Sequence, residues 1–263
     1  MSRLGLALTR ARRADRAAFM PFLVAGDPSL ASTIAFLGAY EAAGADAVEV
    51  GFPYSDPLAD GPVIQRANQR SLAAKTTVAG IFDAVRSFRE KSSLPLVAMA
   101  SASLLERRGP SVFTKDAAAA GFDALLVPDL PIEAARGFFP EWPPALPLVH
   151  LVAPTTPAAR AARIAKASGD FVYVVSVTGV TGSGLGAEAE LAETIARVRA
   201  GAPKKPVAVG FGVATPEDAA AVARVADGVI VGSALVTVGE RHDPEALRAA
   251  AAAFSTAIRA AAL

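Results

Sequence analysis

The sequence contains no cysteine, two histidines and nearly equal numbers of acidic and basic residues. Without cysteine the chain can form neither a disulfide nor a thiolate metal site, and it has no thiol nucleophile. A reducing cytoplasm is therefore the expected location. The 26 Lys and Arg against 25 Asp and Glu give a formal net charge of +1, so the basic excess of a nucleic-acid-binding protein is missing. Charged residues make up 19% and hydrophobic residues 52% of the chain, which excludes intrinsic disorder.

Long uncharged stretches are interrupted before they could cross a membrane. Residues 142–159 contain five prolines, and the segment 171–187 runs into glycine-rich turns. Neither stretch can satisfy its backbone hydrogen bonds in lipid as one continuous helix. Residues 1–16 alternate arginine with apolar residues and lack the uninterrupted apolar region of a signal peptide. We expect a short amphipathic helix there, and no membrane partner.

Eight short apolar runs, rich in β-branched residues, recur along the chain and are separated by Ala-rich segments with helical spacing. Apolar runs without alternation are typical of strands buried on both faces. The predicted strands lie at 19–25, 46–51, 95–100, 124–128, 147–152, 171–176, 206–211 and 228–233. The predicted helices lie at 29–44, 75–92, 111–121, 132–139, 157–168, 188–200 and 215–225.

Strand–helix alternation indicates parallel strands, and eight such units in one chain of 263 residues favour a (β/α)₈ TIM barrel. We predict a single α/β domain over 1–263, with an extra N-terminal helix and a C-terminal helix over 243–263. The main alternative is a doubly wound open sheet. That fold usually carries G-x-G-x-x-G after its first strand, where this chain reads Ala-Gly-Asp-Pro at 25–28.

Two carboxylates stand out at the carboxyl ends of the strands, where such barrels place their chemistry. Glu49 lies inside an apolar strand, and burial raises the pKa of a carboxyl group toward the range that suits proton transfer at neutral pH. Asp60 follows in a Pro- and Gly-rich loop that also contains Asp56. Two carboxyl groups in different surroundings can hold different protonation states. The alternative is that Glu49 pairs with a basic residue and that the two aspartates cap turns.

Glycines after strands six, seven and eight predict a site for phosphate. Gly-x-Gly at 210–212 and Gly-Ser at 232–233 follow the last two strands, and a short apolar helix begins after the second pair. Such a helix N-terminus forms the phosphate cradle of many barrels, although tight turns alone would also need these glycines. The small-residue loop 177–187 is interpreted as a lid. Tyr173 on strand six has either a packing role or a site role.

Absences narrow the chemistry further. No lysine lies at the carboxyl end of a predicted strand, so a Schiff-base aldolase is not expected. The two histidines, His150 within a strand and His242 in a connection, form no cluster for a metal. Carboxylate acid–base catalysis on a phosphorylated compound remains, with a phosphosugar isomerase as one possibility.

Several motifs together resemble the tryptophan synthase α subunit family. The string VEVGFPYSDPLADGPVIQ at 48–65 carries E-x-G-x-P-x-S-D-P-x-A-D-G-P, and it is the most specific of them. The other matches follow in order over nearly the whole chain: PFLVAGDP at 21–28, LLVPDLP at 125–131, VAPTTP at 152–157, FVYVVSVTGVTG at 171–182, VGFGVATPE at 209–217 and DGVIVGSALV at 227–236. The resemblance implies retro-aldol cleavage of indole-3-glycerol phosphate to indole and glyceraldehyde 3-phosphate, in the last steps of L-tryptophan biosynthesis. It implies no cofactor and no metal in this chain, and a pyridoxal-phosphate β subunit that receives the indole within an α2β2 complex.

The resemblance also implies roles for individual residues. Glu49 matches the general acid–base, Asp60 the carboxylate that stabilises positive charge on the indole N–H, Tyr173 the neighbouring tyrosine and Thr181 the lid threonine that contacts the aspartate. The positions matched around the phosphate are Gly182, Gly212, Gly232 and Ser233. The expected walls of the indole pocket are Phe22, Ile64, Leu126 and Phe211. Pro53 and Asp56 match positions that face the β subunit.

One segment departs from the family pattern. After the third strand the chain reads MASASLLERRG at 99–109, so that Ala100 and Ala102 replace larger polar or aromatic residues; Lys75 stands where glycine is usual. The departure motivates a second hypothesis, a free-standing lyase that releases indole. A third hypothesis is a non-catalytic, phosphate-binding regulatory barrel, although both carboxylates are present.

Overall fold

A computed structural model describes residues 2–57, 60–176 and 185–261 of the protein, with the backbone alone for 185–188. Its strands are β1 (Ala18–Val24), β2 (Val48–Gly51), β3 (Leu96–Met99), β4 (Ala124–Leu126), β5 (Leu148–Val149), β6 (Leu151–Val152), β7 (Val172–Val175), β8 (Val207–Gly210) and β9 (Gly228–Val231). All of their pairings are parallel. The (β/α)₈ barrel is thereby confirmed, and the open-sheet alternative is wrong.

The barrel closes through the fifth predicted strand, which is divided in two at His150. Its first half, β5, pairs with β4, and its second half, β6, pairs with β7, so that the sheet runs β5-β4-β3-β2-β1-β9-β8-β7-β6. His150 itself is buried, and burial lowers the pKa of its imidazole. A neutral, packed histidine at this seam agrees with its interpretation as a core residue.

Helices surround the barrel. They are α1 (Arg3–Arg13), α2 (Leu30–Ala42), α3 (Pro62–Ala73), α4 (Val78–Arg89), α5 (Ala102–Arg108), α6 (Pro110–Ala120), α7 (Ile132–Phe138), α8 (Ala158–Ala167), α9 (Leu185–Gly201), α10 (Pro216–Ala223), α11 (Ser233–Gly239) and α12 (Pro244–Ala260). The N-terminal and C-terminal helices are as predicted, whereas α3 and α5 were not predicted. Within the described residues, none of the helices is long and apolar enough to cross a membrane.

Alternation along each strand decides which side chains enter the barrel. In β2, Val48 and Val50 pack outward against the helices, so Glu49 points inward, above the interior residue Ala47. The interior layer also receives three residues of α1, which packs across the end where the strands begin, here called the lower end. Those three residues are Leu4, Leu8 and Ala11.

Aspartates next to strand starts fasten the lower end. Asp46, Asp123 and Asp227 each accept a hydrogen bond from the first backbone N–H groups of a neighbouring strand, with N···O distances of 2.9 Å in all three cases. Each carboxylate also pairs with an arginine. Asp46 pairs with Arg16, Asp123 with Arg89 and Asp227 with Arg199.

Replacement of Asp123 by alanine is expected to destabilise the fold by about 3 kcal/mol. The change leaves the backbone N–H of Leu96 without its acceptor and removes the charge that pairs with Arg89 and Arg3. Urea unfolding measures the effect. The control is Asp83→Ala, which breaks an exposed pair with Arg86 and should cost less than about 1 kcal/mol. Equal losses of stability in the two variants would contradict the interpretation that the buried Asp123 carboxylate holds the neighbouring strand in place.

Candidate active site

Two adjoining chambers open at the upper end of the barrel, where the strands finish. The inner chamber has a volume of about 320 Å³ and the outer chamber about 330 Å³, each large enough for a small ligand. Five residues line both chambers: Phe22, Asp60, Ile64, Met99 and Phe211. The inner chamber continues to Glu49, Tyr173, Gly212, Gly232 and Ser233. The outer chamber continues to Tyr54, Asp56, Asn68, Ala100, Ser101 and Asp129.

Glu49 is buried in the wall of the inner chamber. It lies in register with Phe22 of β1 and Val97 of β3, is 2% exposed, and its Oε1 has no hydrogen-bond partner among the described residues. Burial, with a smaller contribution from the charge of Asp60, raises its pKa to about 8. The carboxyl group is therefore mostly protonated at pH 7 and can donate that proton. Of the described residues, no lysine or arginine lines this chamber, which removes the alternative of a basic partner.

Asp60 faces the same chamber from the start of α3. Its backbone N–H donates to Pro57 O at 3.1 Å, and the Gln65 side chain donates to its carbonyl at 2.9 Å. Partial burial raises the pKa of its carboxyl group. Asp60 is more accessible than Glu49, so the two carboxyl groups lie in different environments. Such a pair can hold different protonation states, with one group acting as the acid and the other as a carboxylate.

Tyr173 completes the carboxylate end of the chamber. Its ring is buried within β7, and its centroid lies 6.2 Å from that of Phe211. Burial first, and then the charges of Glu49 and Asp60, raise the pKa of its hydroxyl well above the ordinary value. The phenol is thus neutral throughout the physiological range.

A second part of the wall of the inner chamber is built from glycine turns. Phe211 and Gly212 both have left-handed φ, at 72° and 75°, and Ser176 fixes this turn by donating to Phe211 O at 2.6 Å. Gly232 caps α11 without a side-chain hydrogen bond to the first turn. The backbone N–H groups that begin α11 are therefore free of a side-chain cap, which is the chemistry that suits a phosphate group.

The structure brings most of the predicted site residues together. Nine of them line the inner chamber: Phe22, Glu49, Asp60, Ile64, Tyr173, Phe211, Gly212, Gly232 and Ser233. Leu126 belongs instead to the fully buried interior layer and lines neither chamber. Asp56 is exposed at the outer chamber, whereas Pro53 is buried. Thr181, Gly182 and the predicted lid up to residue 184 lie outside the described residues.

Sequence reasoning missed Asn68, a buried residue of α3. Its Oδ1 accepts from the backbone N–H of Tyr54 at 3.0 Å, and its Nδ2 donates to Ile64 O at 2.9 Å. Asn68 thereby supports the loop that leads from β2 to Asp60. In the sequence, Asn68 could have been recognised as a polar residue one helical turn after Ile64. That spacing has a meaning only if a helix is predicted over this segment, and none was. The described residues also contain no group of acidic or histidine side chains that could hold a metal ion.

Comparison with known proteins agrees with this architecture. A family model described as Tryptophan synthase alpha chain matches residues 8–262. The tryptophan synthase alpha chain of Halorhodospira halophila is 46% identical over 265 residues, which cover 98% of this chain and 97% of that protein. The alpha chain of Geobacter sulfurreducens is 42% identical over 260 residues and 98% of each protein.

Solved structures give the same result. Tryptophan synthase subunit alpha from Legionella pneumophila has a TM-score of 0.87 at 33% identity, covering 98% of each chain. A chain of tryptophan synthase from M. tuberculosis has a TM-score of 0.86 at 34% identity, covering 98% of this chain and 99% of that one. The chain therefore belongs to the tryptophan synthase alpha chain family.

Proposed function

We propose that the inner chamber cleaves indole-3-glycerol phosphate to indole and glyceraldehyde 3-phosphate, with Glu49 as the acid–base group. The observation that carries this assignment is the buried carboxyl group of Glu49, with a pKa of about 8, in one cavity with Asp60. The chain is a carbon–carbon lyase of tryptophan biosynthesis. Its reaction needs no cofactor, and pyridoxal phosphate belongs to the β subunit.

In the proposed reaction Glu49 donates one proton to the substrate and later removes another, so that it ends in its starting protonation state. The neutral carboxyl group donates its proton to C3 of the indole ring, which places positive charge on the ring nitrogen, where the Asp60 carboxylate stabilises it. The Glu49 carboxylate then removes the proton of the side-chain hydroxyl next to the ring. The carbon–carbon bond breaks as the aldehyde forms, and its electron pair returns to the ring to give neutral indole. Tyr173 packs beside Glu49 and keeps water away from it.

The glycine end of the chamber is the proposed phosphate site. The backbone N–H groups at Gly212, Gly232 and Ser233 supply its donors, together with Gly182 of the predicted lid loop. Thr181 of the same loop is instead the proposed contact of Asp60. The walls of the indole pocket are Phe22, Ile64 and Phe211.

A β subunit is the proposed partner, in a cytoplasmic α2β2 complex. The support is family membership together with the solved neighbours from M. tuberculosis, which are titled as tryptophan synthase. Asp56, exposed beside the outer chamber, is the proposed contact, and Pro53 shapes its loop from a buried position. The small side chain of Ala100 in that chamber favours the second candidate, a lyase that works without a partner.

Indole release from indole-3-glycerol phosphate tests both candidates. The purified chain is assayed with and without a β subunit. Turnover that rises strongly with the partner supports the complex, and high turnover indifferent to the partner supports the free-standing lyase. No indole under either condition would refute the assignment and leave the regulatory barrel.

A further inference from the structure

Asp60 and the Gly232 turn, at the two ends of the inner chamber, are each attached to a different helix. Asp60 lies two residues before Pro62, the first residue of α3, and Gly232 caps α11. Glu49 is fixed by the pairing of β2 with its neighbouring strands, whereas the spacing between Asp60 and Gly232 depends on how the two helices are held. A substrate that spans both ends needs that spacing to be right. Misplacement of a reacting group by about 1 Å can cost about 10²-fold in rate.

Arg70 of α3 joins these two helices by its side chain. Its guanidinium donates to Glu240, the residue that caps the far end of α11, with an Nη1–Oε1 distance of 3.0 Å. It also donates through Nε and Nη2 to the two oxygens of Asp27, both at 2.7 Å. The planar fork of arginine can hold both carboxylates at once, whereas the point charge of lysine cannot.

Asp27 anchors the Arg70 side chain to a well-held loop of the barrel wall. It follows β1, and the loop around it is held by the Ser71 hydroxyl, which donates to Ala25 O at 2.6 Å, and by the Thr33 hydroxyl, which accepts from Gly26 N at 2.8 Å. Asp27 is itself buried. Arg70 therefore ties α3 and α11 to the same point of the barrel wall.

We infer that Arg70 and Glu240 are positioning residues that set the distance between Asp60 at the carboxylate end and the phosphate end of the active site. Neither residue lines the inner chamber, so each acts through the helix that it holds. The inference rests on the proposed function, because only a substrate that bridges both ends senses their spacing. Ligands that occupy one end alone should be indifferent to it.

Glu240→Ala and Arg70→Lys test the inference. For each variant, kcat/KM for indole-3-glycerol phosphate is measured together with the dissociation constants of indole and of glycerol 3-phosphate. We expect kcat/KM to fall at least 10-fold in Glu240→Ala, with both dissociation constants within twofold of wild type. Arg70→Lys, which keeps the charge but loses the fork, should give an intermediate loss. The matched control is Glu245→Ala, which breaks an exposed pair with Arg248 and should leave all three quantities unchanged.

Two results would overturn the inference. One is a kcat/KM within twofold of wild type in Glu240→Ala; the other is an equal loss of affinity for the half-ligands and for the substrate. Because the Glu240 side chain is 29% exposed, this variant is expected to fold even if Arg70 variants do not. Absence of indole release by the wild type would instead refute the proposed function.

Discussion

Glu49→Gln is expected to lower kcat for indole release about 10³-fold, because the amide can neither donate nor accept the catalytic proton. The same change should stabilise the folded protein at neutral pH. Glutamine fills the same space as the protonated side chain and never has to carry a buried charge. Loss of activity with a gain in stability distinguishes a catalytic carboxyl group from a structural one.

The size of that gain should depend on pH in a defined direction. The pKa of Glu49 is raised from 4.5 to about 8 in the folded protein, so the folded state holds the proton more tightly than the unfolded chain. The resulting stability is complete below pH 4.5 and is lost as the pH rises toward 8. Glu49→Gln removes this slope, and its advantage over wild type should reach about 3 kcal/mol at pH 7.

Urea unfolding at pH 5, 7 and 9 measures this difference. Glu106→Gln, an exposed glutamate on α5, is the control, and its stability should follow that of wild type at every pH. A constant difference between Glu49→Gln and wild type would mean that Glu49 ionises normally. The rate should report the same group, because kcat/KM should fall above about pH 8 as Glu49 loses its proton.

Gly210→Ala is expected to remove most of the activity although it replaces no side chain of the active site. A Cβ atom at position 210 would lie 1.9 Å from the Tyr173 hydroxyl oxygen and 2.5 Å from its ring carbon Cζ. The ring must therefore leave its place beside Glu49 or the strand β8 must shift. Overpacking of this kind costs about 1–3 kcal/mol of stability, and the displaced site should lose about 10²-fold in kcat/KM.

Gly137→Ala provides the matched control for this prediction. A Cβ atom there meets no atom within 4 Å, and Gly137 lies within α7, so alanine should be neutral or slightly stabilising. Full activity in Gly210→Ala would show that Tyr173 can move without consequence. In that case the tyrosine would be a packing residue only.

The strands and Glu49 could be predicted because their signal is local. A continuous apolar run indicates a strand buried on both faces, and a glutamate inside such a run stands out at once. Helix α3 gives no comparable signal, since its buried face consists of Ala67, Asn68 and Ser71. A helix that buries small and polar residues has no apolar stripe to detect.

Leu126 marks a different limit of sequence reasoning. The family resemblance correctly implies a side chain inside the barrel, but the level at which it enters depends on the stagger between strands. The structure places it in the interior layer with Val97 and Val149, below the chambers, whereas Phe22 lines both chambers. Stagger is a property of the closed sheet and is not encoded in one strand. The link between Arg70 and Glu240, residues 170 positions apart, is likewise visible only after folding.

The aspartates of the lower end affect which substitutions this chain can tolerate during evolution. Asp46, Asp123 and Asp227 bond to neighbouring strands, and Asp170 accepts from the Ser2 hydroxyl at the start of α1. They precede every second strand of the eight, at the opposite end from the chambers. Selection can therefore add stability at these four places without altering the chemistry. Such a reserve lets the upper end accept costly substitutions, including those that reshape the pocket for new substrates.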